Sequence, residues 1–340
     1  MSERTYSTEE LHAAAVRLGV ADATVIDRYG SGHINDTFKV ETARGIRYIL
    51  QRVNTDIFEP TLLKENILRV TSFLKSRGVP SLEVIGYENP WRLYAFLEGY
   101  SSRDVVSDPK EAYEVARAFA KFQNDLAEMP APRLKEIIPN FHDTPDRLRQ
   151  LDEAMKVNFE GRLKDVGEEL KFVDAWRANA DRLVKLMASG DIPERVTHND
   201  TKINNVMTAA DGTAVVIDLD TTMPGSALYD FGDMVRTSSA AAAEDERDLN
   251  KVYSKKEYFA ALAKGYLEGA QFLNACEREN LVFSGELMTF EVGIRFLADY
   301  LKGDVYFHTA YPEHNLVRAR TQFKMVQSIE AQRADYEAMI

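Results

Sequence analysis

Two periods of apolar residues divide the chain. Up to about residue 98, short alternating runs dominate: Thr24–Tyr29, Thr37–Glu41 and Tyr48–Val53, then Ser81–Gly86 and Trp91–Phe96. Alternation over four to eight residues, broken by turn residues, predicts β-strands. Two helices accompany them. Ser7-Thr8-Glu9-Glu10 has the form of a capping box and opens a short amphipathic helix to about Leu18. Leu62–Lys75 carries Leu63, Ile67, Val70 and Leu74 at helical spacing and is stopped by Gly78-Val79-Pro80.

From about Glu111 the period lengthens to that of helices. Val115, Phe119, Phe122 and Leu126 mark one; Thr144-Pro145-Asp146 caps another; Leu170–Met187 reads as a third. Tyr258–Leu267, Leu287–Leu301 and roughly Leu316–Tyr336 follow, and core packing explains all these stripes. One interruption stands out at residues 197–220. There Val206–Met207 and Ala214–Ile217 flank Asp211-Gly212, a strong short-range hairpin signal. The expected architecture is α+β and two-lobed: a small antiparallel-sheet lobe over 1–98, then a larger, mainly helical lobe over 99–340 with one hairpin embedded in it.

Composition narrows the classes. With 340 residues the chain is too long for one small core, and 45% apolar against 28% charged residues is an ordinary globular balance. A net charge of −12 argues against a nucleic-acid or anionic-membrane surface. Cys276 is the single cysteine, so an intrachain disulfide and a cysteine metal cluster are excluded, and it reads as an inert thiol. The N-terminus lacks the charged-then-apolar form of a signal, and no run approaches a membrane span. A cytoplasmic monomer is the expectation.

The chemistry gathers on the hairpin. Folding 197–220 about its turn sets Asn205 opposite Asp218, with Asp200 just upstream. Two carboxylates and a carboxamide at one hairpin end are what a Mg²⁺-dependent phosphoryl transferase needs: an aspartate to orient a hydroxyl, and hard oxygen donors for the metal. Four residues separate Asp200 from Asn205, the spacing of a kinase catalytic loop. Asp200 is therefore the candidate catalytic base, and Asn205 and Asp218 are the candidate metal ligands. His198 suits a bracing role. Lys202 is either a γ-phosphate cation or a solvated lysine, and Asp220 either binds a second metal or holds the loop. Asp230-Phe231-Gly232 spells the protein-kinase D-F-G, yet it lies outside the hairpin, so Asp230 and Asp233 read as structural acids.

Nucleotide-binding candidates follow from the same reading. Gly30-Ser31-Gly32 links the first two strands, where a kinase hairpin covers ATP phosphates; alone it reads sooner as an ordinary β-turn, and its position ahead of the 197–220 cluster turns the reading to a phosphate loop. Phe96-Leu97-Glu98-Gly99 reads equally as a hinge, with Phe96 and Glu98 at the adenine edge, or as a structural loop of the kind any strand-to-helix connection can form. Gln51 stands where a kinase lysine would fall, and Arg52 is next to it. Alternation allows only one of them to face the nucleotide. Glu65 is the candidate acid partner for a cation there.

With these residues in place, the chain resembles the aminoglycoside phosphotransferase and choline kinase superfamily of protein-kinase-like enzymes. The pattern is H-x-D, an Asn five residues on, then a hydrophobic strand ending in Asp, here R-V-T-H-N-D-T-K-I-N-N and I-D-L-D-T-T-M-P-G-S. Within it the chain is similar to the N-acetylhexosamine 1-kinases. G-S-G-H-I-N-D-T, Y-I-L-Q-R-V-N-T-D-I-F, L-Y-D-F-G-D, E-D-E-R-D-L, R-F-L-A-D-Y-L-K-G-D-V-Y-F and Y-P-E-H-N-L-V-R-A-R-T-Q carry that likeness, from about residue 28 to 325. The resemblance implies a two-lobed kinase fold, ATP with Mg²⁺, and phosphorylation of the anomeric hydroxyl of N-acetylglucosamine or N-acetylgalactosamine. It also implies sugar contacts from His33, Asp200, Arg295 and Tyr306. Spacing alone would make Arg295 part of a solvated ladder with Glu291 and Asp299, and Tyr306 core.

Overall fold

A computed structural model describes residues 4–30, 34–130 and 134–340. The small lobe begins with α1 (Thr8–Arg17), whose Ser7 hydroxyl accepts the Glu10 N–H while the Glu10 carboxylate accepts the Ser7 N–H, the expected capping box. Then come β1 (Ala23–Arg28), β2 (Asp36–Thr42), β3 (Arg47–Arg52), α2 (Pro60–Ser76), β4 (Val84–Glu88) and β5 (Trp91–Ala95). The strands form one antiparallel sheet in the order β1-β2-β3-β5-β4.

The two faces of that sheet have different fates, because side chains alternate along each strand. Phe38, Val40, Leu50, Trp91 and Leu93 face α1, packing on Leu11, Ala14, Ala15 and Leu18. The opposite face presents Ile49 and Tyr94 to a core shared by α2 and the helical lobe. That second face is the one that looks into the cleft.

The large lobe starts at β6 (Tyr100–Ser101) and α3 (Pro109–Leu126), followed by α4 (Thr144–Val157), α5 (Gly167–Trp176) and α6 (Arg182–Ser189). The functional hairpin is framed by β7 (Arg195–Thr197), β8 (Val206–Ala209), β9 (Ala214–Val216) and β10 (Met223–Gly225). Strand β7 pairs with β10, and β6 adds to the β8–β9 hairpin, which connects the hinge directly to the candidate site. The chain ends in α7 (Ala227–Ser238), α8 (Lys256–Gly269), α9 (Ala275–Glu279), α10 (Leu281–Lys302), α11 (His314–Ala331) and α12 (Arg333–Glu337). Helix α10 is buried along nearly its whole length and serves as the post against which α4, α7 and α11 pack. Among the described residues no helix is long and apolar enough to cross a membrane.

Three expectations are corrected. Leu170–Met187 is not one helix: a 3₁₀ turn at Arg177–Asn179 separates α5 from α6, so that Trp176 can stack on Phe283 and Phe290 of α10. The last helix likewise stops at Ala331 and restarts at Arg333. The cap of α4 is Asp143, which accepts the Asp146 N–H, while Thr144 turns its hydroxyl to Glu291. Helix α7 had no apolar stripe to announce it, because all its sides are buried.

α7 and α10 approach closely at Gly232 and Gly285. A methyl group on Gly232 would collide with the Ser284 carbonyl and the Met288 side chain, neither of which can retreat within a packed helix pair. Gly232→Ala is expected to destabilise the protein by about 2 kcal/mol through overpacking, read as a lowered midpoint in urea with unchanged slope. An unchanged midpoint would mean that the two helices can separate freely.

Candidate active site

The candidate catalytic loop runs from β7 to β8, and its shape is imposed from below by α7. Asp230 accepts the N–H groups of His198 (2.9 Å) and Asn199 (2.7 Å), and Asp233 accepts that of Thr201 (2.9 Å). Asn199 adopts a positive φ of 64°, which reverses the chain so that the next residue, Asp200, projects upward. His198 is fully buried against Phe119 and Phe122, and its Nε2–H donates to the Ile217 carbonyl at 2.9 Å. It braces loop to hairpin. Asp230 is itself held by the Gln123 amide at 2.6 Å, and burial pushes its carboxyl up against the pull of its partners. Both D-F-G-region acids are thus scaffolding under the loop.

Asp200 sits half-buried with Lys202 Nζ at 2.8 Å from Oδ1. Burial alone would raise the Asp200 carboxyl; the Lys202 ammonium outweighs it and holds the group below its ordinary value. Asp200 is therefore ionised at neutral pH and able to accept a proton. The Asn205 amide nitrogen donates to the Asp200 carbonyl (2.8 Å) and to its Oδ2 (3.2 Å), which turns Asn205 Oδ1 outward.

The hairpin register differs from the expected one by a single step. Val206 faces Val216 and Met207 faces Val215, so Asn205 faces Ile217, whose N–H it accepts at 2.9 Å. The turn is centred on Asp211 itself, with Gly212 at φ 84° and the Asp211 carboxylate accepting the Thr213 N–H. Asp218 comes near Asp200 by other means: its own backbone is left-handed, φ 55°, and β9 breaks into a 3₁₀ turn at Leu219–Thr221. The extended geometry that would have put Asp220 beside Asp218 does not continue. Asp220 is buried and holds the loop instead, gripping Arg92.

The donor set fits a hard divalent cation. Asp218 is solvent-accessible, and among the described residues its carboxylate has no hydrogen bond or ion pair. Desolvation within the cleft, then the nearby Asp220 and Asp200 carboxylates, push it up to about 7. Such surplus negative charge would suit a hard cation such as Mg²⁺, to which Asn205 Oδ1 could offer a second protein oxygen. Among the described residues no group of three or more His, Cys, Asp or Glu side chains could enclose an ion. Phosphate oxygens and water would have to complete the shell.

On the sheet above, Gln51 faces the cleft, but it is committed: Nε2 donates to Thr37 Oγ1 (2.9 Å) and Oε1 accepts from Arg92 Nε (3.0 Å). Arg52 points to the opposite face, so it is corrected out of the nucleotide side. Arg92 on β5, directly opposite Gln51, is the guanidinium on the cleft face, and sequence reading missed it. Glu65 is exposed and forms no ion pair among the described residues; the kinase-type pairing expected for it is absent. At the hinge, Arg47 lies over Phe96 and pairs with Glu98. Neither Leu97 nor Glu98 donates its N–H to another backbone carbonyl among the described residues. Gly30 has φ 80°, the left-handed backbone a glycine turn supplies; Ser31, Gly32 and His33 lie outside the described residues.

Arg295 and Tyr306 lie on a neighbouring wall. His142 touches the Asn199 carbonyl (3.4 Å) and Glu291 (2.8 Å), and Phe141 beside it carries the Arg295 guanidinium at 5.2 Å from its ring. Phe307 flanks Arg295 on another side at 5.7 Å. Asp299 accepts the N–H groups of Val305, Tyr306 and Phe307, which fixes the loop that presents Tyr306. Arg147 stands on the same wall, donating to the Phe141 carbonyl; burial and then the Arg295 charge push it down. No spacing pattern announced it.

A model of a phosphotransferase enzyme family matches residues 25–272. Among solved structures, an ethanolamine kinase from Plasmodium vivax is 16% identical, with 94% of this chain and 91% of that chain covered and a TM-score of 0.58. An aminoglycoside phosphotransferase from Alicyclobacillus acidocaldarius is 13% identical, covering 99% and 98%, with a TM-score of 0.61. An amicoumacin kinase in complex with AMP-PNP and Ca²⁺ is 13% identical, covering 94% and 96%, also at 0.61. The small antiparallel-sheet lobe and helical lobe are those of the protein-kinase-like phosphotransferase fold.

The raised Asp218 carboxyl makes a stability prediction. Its folded value lies above its unfolded one, so the folded state binds the extra proton and stability falls as pH rises from about 4 to about 7. Asp218→Asn removes that cost. Without divalent ions it should melt on the order of 1–3 °C above the parent at pH 8, a small gain because water screens the site, and equal to it near pH 4. A lower melting temperature at pH 8 would contradict the surplus charge.

Proposed function

Because the chain belongs to the phosphotransferase enzyme family, we propose that it transfers the γ-phosphoryl group of ATP to the anomeric hydroxyl of an N-acetylhexosamine. Asp200 orients the acceptor hydroxyl and takes up its proton as the O–P bond forms, while ADP leaves. Asn205 and Asp218 would hold Mg²⁺, which would draw the β- and γ-phosphate charge together and stabilise its shift to the leaving oxygen. Lys202, 2.8 Å from Asp200, keeps that carboxylate ionised and adds positive charge beside the transferred group.

The observation that carries the acceptor assignment is the Arg295 guanidinium. It forms no ion pair among the described residues and lies between the Phe141 and Phe307 rings, with Arg147 close enough to feel its charge. The acids of this wall are engaged: Glu291 by His142 and Thr144, Asp143 by the start of α4, Asp299 by three amides. Guanidinium donors beside an aromatic suit the hydroxyl and acetamido oxygens of a neutral sugar. The second reading, an amino alcohol or aminoglycoside, is favoured by the named activities of the similar structures. A cation would there meet two guanidiniums and, among the described residues, no unpaired acid.

An ATP-coupled screen over N-acetylglucosamine, N-acetylgalactosamine, choline and kanamycin decides between them, with ³¹P NMR identifying a sugar 1-phosphate. Turnover of choline or kanamycin without turnover of either sugar would overturn the assignment. On the acceptor that reacts, Asp200→Ala should lower kcat by about 10²–10⁴-fold with acceptor KM little changed. An undiminished kcat would remove Asp200 from the role of base.

A further inference from the structure

The buried group that phosphoryl transfer leaves unexplained is the ion pair between the lobes. Arg92 Nη1 donates to Asp220 Oδ1 at 2.6 Å and Nη2 to Oδ2 at 2.9 Å, a two-pronged pair with side chains only 1% and 4% exposed. Asn35 Nδ2 adds a third donor to the same carboxylate at 2.5 Å, and its own Oδ1 accepts the Asn54 N–H at 3.0 Å. Behind Arg92, Nε reaches Gln51 and Gln51 reaches Thr37, so β2, β3 and β5 all anchor the guanidinium. One carboxylate from the large lobe is therefore clasped by the loop that enters β2 and by the sheet itself.

We propose that Arg92 and Asp220 are the positioning pair of the metal site, fixing the Asp218 carboxylate beneath the nucleotide sheet. Asp218 opens the 3₁₀ turn in which Asp220 lies, and its left-handed backbone leaves little slack between them. Pinning Asp220 sets where Asp218 points. Neither partner of the pair reaches solvent, so neither is a nucleotide contact. Stability alone does not account for such a pair, because desolvating both ions cancels most of their attraction and a hydrophobic replacement of equal size does as well. What a bidentate guanidinium supplies is a single geometry. In protein kinases a strand lysine and a helix glutamate tie nucleotide lobe to catalysis; here Gln51 and exposed Glu65 cannot, and the cation comes from β5 and the acid from the metal loop.

The proposal rests on the reading of Asp218 as a metal ligand, and the test separates the two. Binding of ADP to the full chain is followed calorimetrically against Mg²⁺ concentration, and again in EDTA, for the parent, Arg92→Lys, Asp220→Asn and Arg92→Met/Asp220→Leu. The double variant buries no unpaired charge, so it should fold and melt within a few degrees of the parent. In all three variants half-saturating Mg²⁺ should rise about tenfold, the cost typical of losing a ligand's supporting partner, while ADP affinity in EDTA stays within about twofold. An unchanged Mg²⁺ requirement in the folded double variant overturns the proposal and leaves the pair a structural strut. Equal loss of ADP affinity with and without Mg²⁺ overturns it too, making Arg92 a phosphate contact. Asp218→Asn is the control: if it leaves half-saturating Mg²⁺ unchanged, the metal-ligand reading fails first and the proposal with it.

Discussion

The candidate site depends on one buried carboxylate, that of Asp230. A loop between two short strands has backbone N–H groups that neither strand can satisfy, and inside a protein each must find an acceptor. Asp230 takes those of His198 and Asn199, and Asp233 takes that of Thr201. With those amides fixed, the reversal at Asn199 has only one outcome, and Asp200 points into the cleft. The acids stay in place because α7 is buried on every side and locked against α10 where Gly232 and Gly285 allow close approach. Shape complementarity between two helices thus reaches Asp200 through two carboxylates.

Above the loop the electrostatics run the other way. Below it, acids are matched by amides; at the hairpin mouth Asp200, Asp218 and Asp220 are brought closer than their charges favour. Two are compensated from within, Asp200 by Lys202 and Asp220 by Arg92. Asp218 is left over. A carboxylate held back in this way has the charge that a hard cation would balance, and the folded state carries the repulsion meanwhile.

The acceptor wall repeats this economy with opposite sign. Glu291 is engaged by hydrogen bonds with His142 and Thr144, while Arg295 lies among aromatic rings and a neighbouring guanidinium. The cleft thus holds an acid without an ion-pair partner at the hairpin mouth, and on the neighbouring wall a guanidinium without one, both among the described residues. His142 joins them, touching Glu291 and the Asn199 carbonyl together.

Local chemistry settled much of this protein in advance. Alternation foretold the five strands of the small lobe, Ser7 and Glu10 the first cap, and Asp211-Gly212 the hairpin, since each depends on residues a few positions apart. The same locality assembled Asp200, Asn205 and Asp218, which lie on one hairpin and its feeder loop. Where the outcome turned on packing, the linear pattern carried no signal. Leu170–Met187 is a continuous stripe, yet it breaks because Trp176 finds Phe283 and Phe290 on a distant helix. Alternation showed that Gln51 and Arg52 must part, but only the sheet's two coverings decided which met the cleft. Arg92 and Asp220 lie 128 residues apart, and nothing near either names the other. Burial charges are satisfied by whatever the fold brings within reach, and that partner exists only in three dimensions.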